Sequence, residues 1–260
     1  MSQQKSYINR FFLTAAEVNA QREMPLSRIV TTIIDTATAH ANIIGIGFDR
    51  MISQGISWVL SRLTIDILST LSVNHTYALE TWVQSTNRMF SERAFQMTDE
   101  DGTVVLRAHS TWMAVNMTTR RPGDLTPIFE GLDIINDKPY LGDKGGKLLP
   151  VANPDRRQAY TFAVSDIDVN RHVTTRRYID LITDLWSLDH YDTARPARFE
   201  IAFKREARYG DQATVVAAPH LSTDDRPEVD TFDTEITVNE TTCCLARIKF
   251  APRQQQQQQQ

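Results

Sequence analysis

The run Thr174-Thr175-Arg176-Arg177-Tyr178-Ile179-Asp180-Leu181-Ile182-Thr183-Asp184-Leu185-Trp186-Ser187-Leu188-Asp189-His190 decides the fold. Tyr178, Leu181, Ile182, Leu185 and Trp186 recur at helical spacing and make one apolar face. The spacing predicts a helix over Thr174–His190. Just before it, Gln158–Ser165 reads as a strand. After it, Arg198–Arg205, Asp211–Leu221, Glu228–Val238 and Cys243–Ala251 read as strands, with Ser222–Pro227 as a turn cluster.

The same order occurs earlier. Ser6–Thr14 reads as a strand and Leu26 to about Ile44 as a helix, preceded by Pro25, with Ile29, Ile33, Ala37 and His40 at helical spacing. Gly45 and Gly47 end that helix. Ile56–Ile67, Tyr77–Ser85, Ser91–Thr98 and Thr103–Met117 follow as strands, and Asp101-Gly102 marks a tight turn. Each half is thus strand, helix, then four strands, an internal duplication of an α+β unit. Two short matches agree: 102–108 lies over 240–246, and Glu17–Gln21 lies over Asp168–His172. Two antiparallel sheets side by side can pair and so hide their edges. Arg121–Pro154, rich in proline and glycine, reads as a linker, part of it mobile. The predicted domains are therefore 1–130 and 158–252, joined by 131–157 and followed by a disordered glutamine-rich tail, 253–260.

The bulk numbers narrow the function. Hydrophobic residues make up 41% of the 260, enough for a sizeable core. Twenty-eight basic residues against 32 acidic ones give a net charge of −4, which argues against a dedicated nucleic-acid binder. Cys243 and Cys244 are adjacent, and neighbours on a strand point to opposite faces, so no disulfide framework is implied. No stretch has the roughly 18–20 apolar residues of a membrane helix, and the first twelve residues lack a signal-peptide core. A cytoplasmic protein that does not insert into membranes is expected. No nucleophile elbow, P-loop, dinucleotide loop or metal-ligand spacing occurs, so neither cofactor nor metal is expected.

Between the strand and the helix of the second half stand Asp168, Asn170 and His172. Alternate spacing on an extended segment puts three polar side chains on one side. The following helix start directs free N–H groups and its positive end at this loop, which suits a developing oxyanion. An imidazole near its ordinary pKa of about 6.5 can exchange a proton at neutral pH. The same residues also suit plain Asx-turns with Thr174 as a helix cap.

Residues 168–179, Asp-Val-Asn-Arg-His-Val-Thr-Thr-Arg-Arg-Tyr-Ile, resemble the active-site segment of the acyl-ACP thioesterases, which release fatty acids from acyl carrier protein (ACP). The family pattern is close to D-x-N-x-H-V-N-N-x-x-Y. This chain has Thr174 and Thr175 where asparagine is usual. Further landmarks follow in order: Trp58-Val59-Leu60-Ser61-Arg62, Glu80-Thr81-Trp82-Val83, Thr119-Arg120-Arg121-Pro122 and Lys204-Arg205-Glu206-Ala207. The resemblance covers about Ile8 to Pro252. It implies two tandem hot-dog domains, each a long helix wrapped by a curved antiparallel sheet.

It also implies roles. Many members carry a cysteine beside the acidic residue of the last landmark. Here Ala207 stands in its place, so a thiol cannot attack from that position. Glu206 and His172 would then position or deprotonate a water, with the division between them open. Asp168 would orient His172, and Asn170 would hydrogen-bond the thioester oxygen or hold the loop. The first half would bind the acyl chain, its tunnel walled by the helix Leu26–Ile44 and the strand Ile56–Ile67, with Trp58, Met51 and Ile52 as the substrate-binding positions that would set chain length. Arg171, Arg176 and Arg177 form a basic cluster that either solvates a helix face or meets the pantetheine phosphate or acidic surface of the carrier. Arg120 and Arg121 are weaker candidates. An acyl-CoA thioesterase of the same fold and a non-catalytic acyl-thioester sensor are the rival functions. One chain supplies two hot-dog units, and a homodimer is a further expectation.

Overall fold

The computed structural model describes residues 4–221 and 227–253. The turn expected at 222–227 falls almost wholly outside them, as does the glutamine tail from 254 onward. Among these residues ten strands form one antiparallel sheet. In the first half these are β1 (Ser6–Phe12), β2 (Ile56–Ile67), β3 (Thr76–Thr86), β4 (Phe90–Thr98) and β5 (Val104–Asn116). The second half contributes β6 (Arg156–Thr161), β7 (Ala194–Phe203), β8 (Gln212–Leu221), β9 (Pro227–Val238) and β10 (Thr241–Pro252). The order β1-β3-β4-β5-β2-β7-β10-β9-β8-β6 is palindromic about the β2–β7 seam. There Leu63 pairs Ile201 and Ile65 pairs Phe199, so the two half-sheets hide each other's edge.

Helix α1 (Leu26–Ile43) matches its expected span almost to the residue, because its buried positions Ile29, Ile33, Ala37 and His40 are those of the 3.6-residue period. The second half differs from expectation. The single helix over Thr174–His190 is two, α4 (Thr175–Thr183) and α5 (Leu188–Thr193). Ser187 breaks the run by capping α5, its hydroxyl accepting from the His190 amide. Tyr178, Leu181 and Ile182 keep their apolar face, and Trp186 is buried from the connection between the helices. Two short helices were not foreseen. One, α2 (Phe48–Ser53), follows Gly45; the other, α3 (Thr126–Phe129), lies in the expected linker.

Helices α1 and α4 pack on each other, and one core runs through both halves. Ile33, Phe95 and Ile65 join Ile182, Phe199 and Ile248 in it. Each such burial contributes about 1.5–3 kcal/mol. A second cluster at the far end of α1 holds Ile44, Ile46, Met51, Val83 and Ala114. The connection between halves is pinned, contrary to the mobile stretch expected. Leu125, Ile128 and Ile134 join the second cluster, Trp82 Nε1 donates to the Lys138 carbonyl (2.9 Å), and Val151 N donates to Glu235 (2.9 Å). Among the described residues no helix is long and apolar enough to cross a membrane.

Candidate active site

The loop between β6 and α4 is built by its own side chains. One oxygen of Asp168, Oδ1, accepts from the amides of Asn170 (2.8 Å) and His172 (3.0 Å). The Asp168 amide donates to the His172 carbonyl (2.8 Å), and Arg171 takes the left-handed conformation, φ 64°, to close the turn. Asp168 therefore shapes the backbone, as an Asx-turn does. The carboxylate expected to orient the His172 ring serves the chain around it instead. Thr174 caps α4 with its hydroxyl. Val173 N donates to the Ala207 carbonyl (2.8 Å), and Ala207 N donates to the buried Tyr178 hydroxyl (2.9 Å). These bonds hold the 206–207 segment, which follows β7 rather than lying in it, against the loop.

The consequence is a contact between two residues 34 positions apart: His172 Nε2 lies 3.1 Å from Glu206 Oε2. The same Glu206 oxygen also pairs with Arg120, which reaches across from the end of β5. A carboxylate shared between an imidazole and a guanidinium is fixed in direction by both. Sequence reasoning gave Arg120 only a minor carrier-docking role. Its left-handed conformation, φ 58°, at a turn in the other half made the real contact invisible in one dimension.

Asn170 is the hinge between two spaces. It lines an open cavity of about 550 Å3 with Ile167, Arg171, His172, Arg208 and Tyr209. It also lines a largely apolar cavity of about 220 Å3 in the first half. Trp58, Met51 and Ile52 stand on the walls of that second cavity, between α1, α2 and β2. Trp58 is held there by its indole N–H on the Ile46 carbonyl (2.9 Å).

The basic cluster separates. Arg177 is tied to the buried carboxylate of Asp166 (2.5 Å) and lies over the Tyr160 ring, so it holds the fold rather than a partner. Asp166 also accepts from Tyr160 (3.0 Å) and the Ala163 amide (2.8 Å); these bonds and Arg177 hold its carboxyl below the usual range against the opposing effect of burial. Arg171 and Arg176 are exposed, Arg176 facing Asp180 at 3.6 Å. Cys243 lines the space behind Glu206, but it is buried and burial raises its thiol pKa, the reverse of what a nucleophilic thiolate needs.

The sheet-and-helix pair repeated about one seam is the tandem hot-dog arrangement, and solved structures share it. A crystal structure of an acyl-ACP thioesterase from Bacteroides thetaiotaomicron superposes with a TM-score of 0.86 at 28% identity, covering 96% of this chain and all of that one. The 12:0-ACP thioesterase from Umbellularia californica matches with a TM-score of 0.84 at 18% identity over 96% and 95% of the two chains, a likeness of fold. The family models for the acyl-ACP thioesterase N-terminal and C-terminal domains match residues 4–130 and 152–252. The chain belongs to the acyl-ACP thioesterase family. A chloroplastic palmitoyl-ACP thioesterase of Arabidopsis thaliana is 24% identical over 214 residues, 75% of this chain and 51% of that protein. An oleoyl-ACP thioesterase of the same plant is 24% identical over 223 residues, 79% and 61%. The chain spans about half the length of the first of these relatives.

Proposed function

We propose that the protein hydrolyses the thioester of fatty acyl-ACP, releasing free fatty acid and ending chain elongation. One observation carries this reading. Asn170 stands on the wall of an apolar cavity in the first half, while His172, two residues on, meets Glu206. A chain lying in that cavity presents its thioester to the polar loop.

Glu206, fixed by Arg120 and His172, binds the attacking water and with His172 takes its proton, a role worth typically about 10²–10⁴ in rate. The side-chain amide of Asn170, whose backbone N–H is already taken by Asp168, and the N-terminal amides of α4 supply donors to the oxygen on which charge develops. One such donor contributes about 2.7–4 kcal/mol to the transition state. Asp168 positions the loop. The division of labour is a binding half, residues 1–130, and a chemical half, residues 158–252. Arg171, on the wall of the open cavity, and Arg176, exposed on α4, meet the phosphate of the pantetheine arm or the acidic face of the carrier.

The test is free fatty acid release from a panel of acyl-ACP substrates of graded length, with the matching acyl-CoA thioesters alongside. Turnover of acyl-ACP above acyl-CoA is expected. Tight retention of the acyl thioester without release would replace this reading by a sensor.

A further inference from the structure

The wall of the acyl cavity is not uniformly apolar. On adjacent strands, cross-strand partners share a face of the sheet. In β4 and β5 the pairs are Met97–Leu106, Phe95–Ala108, Arg93–Ser110 and Ser91–Trp112. The first two belong to the main core. Val83 and Ala114 belong to the second cluster. Between the two apolar clusters lies a polar layer: Arg93, Ser91 and Ser110, all buried, with His40 of α1.

Arg93 is only 4% exposed and lines the cavity together with Ser91. His40 Nε2 donates to the Gln4 carbonyl (3.0 Å), which leaves Nδ1 to accept from Arg93 Nη1 at 2.7 Å. Burial, seconded by the Arg93 charge, lowers the His40 pKa to about 4 and keeps the ring neutral. Burial brings Arg93 down to about 10, still cationic at neutral pH. Among the described residues no carboxylate pairs with Arg93, and no other side-chain hydrogen bond holds its guanidinium. A buried cation without a counter-ion is costly, and such a group is retained where something else satisfies it.

The register gives its place. Trp58 pairs Ala114 near the Arg120 end of the sheet, and Arg93 pairs Ser110, four residues further along β5. At about 3.3 Å per residue the Arg93 backbone lies roughly 13 Å along the sheet from that of Trp58.

We infer that Arg93 and Ser91 form a polar subsite within the acyl cavity that takes a hydroxyl or oxo oxygen carried on the acyl chain. The inference rests on the cavity being the acyl-chain site proposed above. A charge-assisted bond from Arg93 to such an oxygen supplies the missing partner, and an unsubstituted chain leaves the guanidinium to trapped water or to nothing.

The experiment walks a hydroxyl along an acyl chain of fixed length and measures kcat/KM for each acyl-ACP isomer against the unsubstituted parent. One interior position is expected to exceed the parent by about tenfold, the size of one good hydrogen bond to a charged group. Arg93→Met should turn the ratio in favour of the parent, and Arg93→Lys should keep part of it. Equal rates at every position, or the same preference in Arg93→Met, would overturn the subsite. Calorimetric binding of the free hydroxy acid and its parent to the unaltered protein gives the same answer without turnover. If no acyl-ACP is hydrolysed at all, the proposed function falls. Calorimetry then decides the subsite alone: tighter binding of the hydroxy acid upholds it and equal binding removes it. If Arg93→Met does not fold, Ser91→Ala in the same panel must reduce the preference.

Discussion

Residues 17–25 and 166–174 are the same loop built twice. Asn19 Oδ1 accepts from the amides of Gln21 (3.1 Å) and Glu23 (2.9 Å), as Asp168 Oδ1 does from Asn170 and His172. Arg22 and Arg171 both turn left-handed, at φ 61° and 64°. The Met24 amide donates to Leu71, as Val173 does to Ala207. Glu17 pairs Arg28, as Asp166 pairs Arg177. The backbone is duplicated and the chemistry is not. Opposite His172 the first half has Glu23, and opposite Glu206 it has Thr70. Glu23 is neutralised by Arg253 from the second half, with Nη2 to Oε2 at 2.9 Å. One loop carries a histidine in contact with a carboxylate beside a cavity, and the other carries an ion pair that ties the halves together.

The contrast is open to attack at each matched position. The largest effect belongs to the chemistry. His172→Ala should lower kcat for acyl-ACP by about 10²–10⁴, and Asn170→Ala by about 10²–10³, while Gln21→Ala leaves kcat within about twofold. Steady-state fatty acid release measures all three. A comparable loss in Gln21→Ala would mean that both loops act.

Next comes stability. Arg177→Met strands the buried Asp166 carboxylate and should cost about 2–3 kcal/mol in urea unfolding. Its counterpart Arg28→Met frees a part-exposed Glu17 and should cost less than about 1 kcal/mol. Arg177 is thus expected to act on folding, and Arg176 on the carrier. Arg176→Glu should raise KM for acyl-ACP several-fold with kcat unchanged and flatten its salt dependence. Among the residues of the catalytic loop the smallest effect is expected from Asp168→Asn. Asn19 performs the same backbone capping in the first half, so kcat should fall less than about tenfold. A drop of more than a hundredfold would show that the Asp168 charge itself takes part.

Much of this was legible in one dimension. The strands, α1 and the duplication follow from periods of 2 and 3.6 and from turn residues. The aligned hairpin tips at Gly102 and Glu240 share positive φ, at 80° and 62°. The other sequence match was two residues out of register. Val18-Asn19 and Val169-Asn170 share letters, but the hydrogen bonds place Asn19 over Asp168 and Glu23 over His172. Letters aligned side chains; the Asx-turn aligns backbones. The α4–α5 break was missed because Leu185 and Trp186 keep a helical spacing across a cap set by Ser187. The Arg120–Glu206 contact and the Arg93–His40 layer join segments distant in sequence, and no local pattern announces them. The commitment of Arg177 to Asp166 was hidden likewise, since charge clustering does not reveal which cation a buried carboxylate has claimed.

The most direct test of the whole account is the paired rate of fatty acid release in Glu206→Gln and Glu23→Gln, measured at saturating acyl-ACP. Glu206→Gln should lose at least about a hundredfold in kcat, and Glu23→Gln should retain the rate of the unaltered protein while unfolding more easily. Equal rates in the two variants, or the larger loss in Glu23→Gln, would contradict the assignment of the chemistry to the second half.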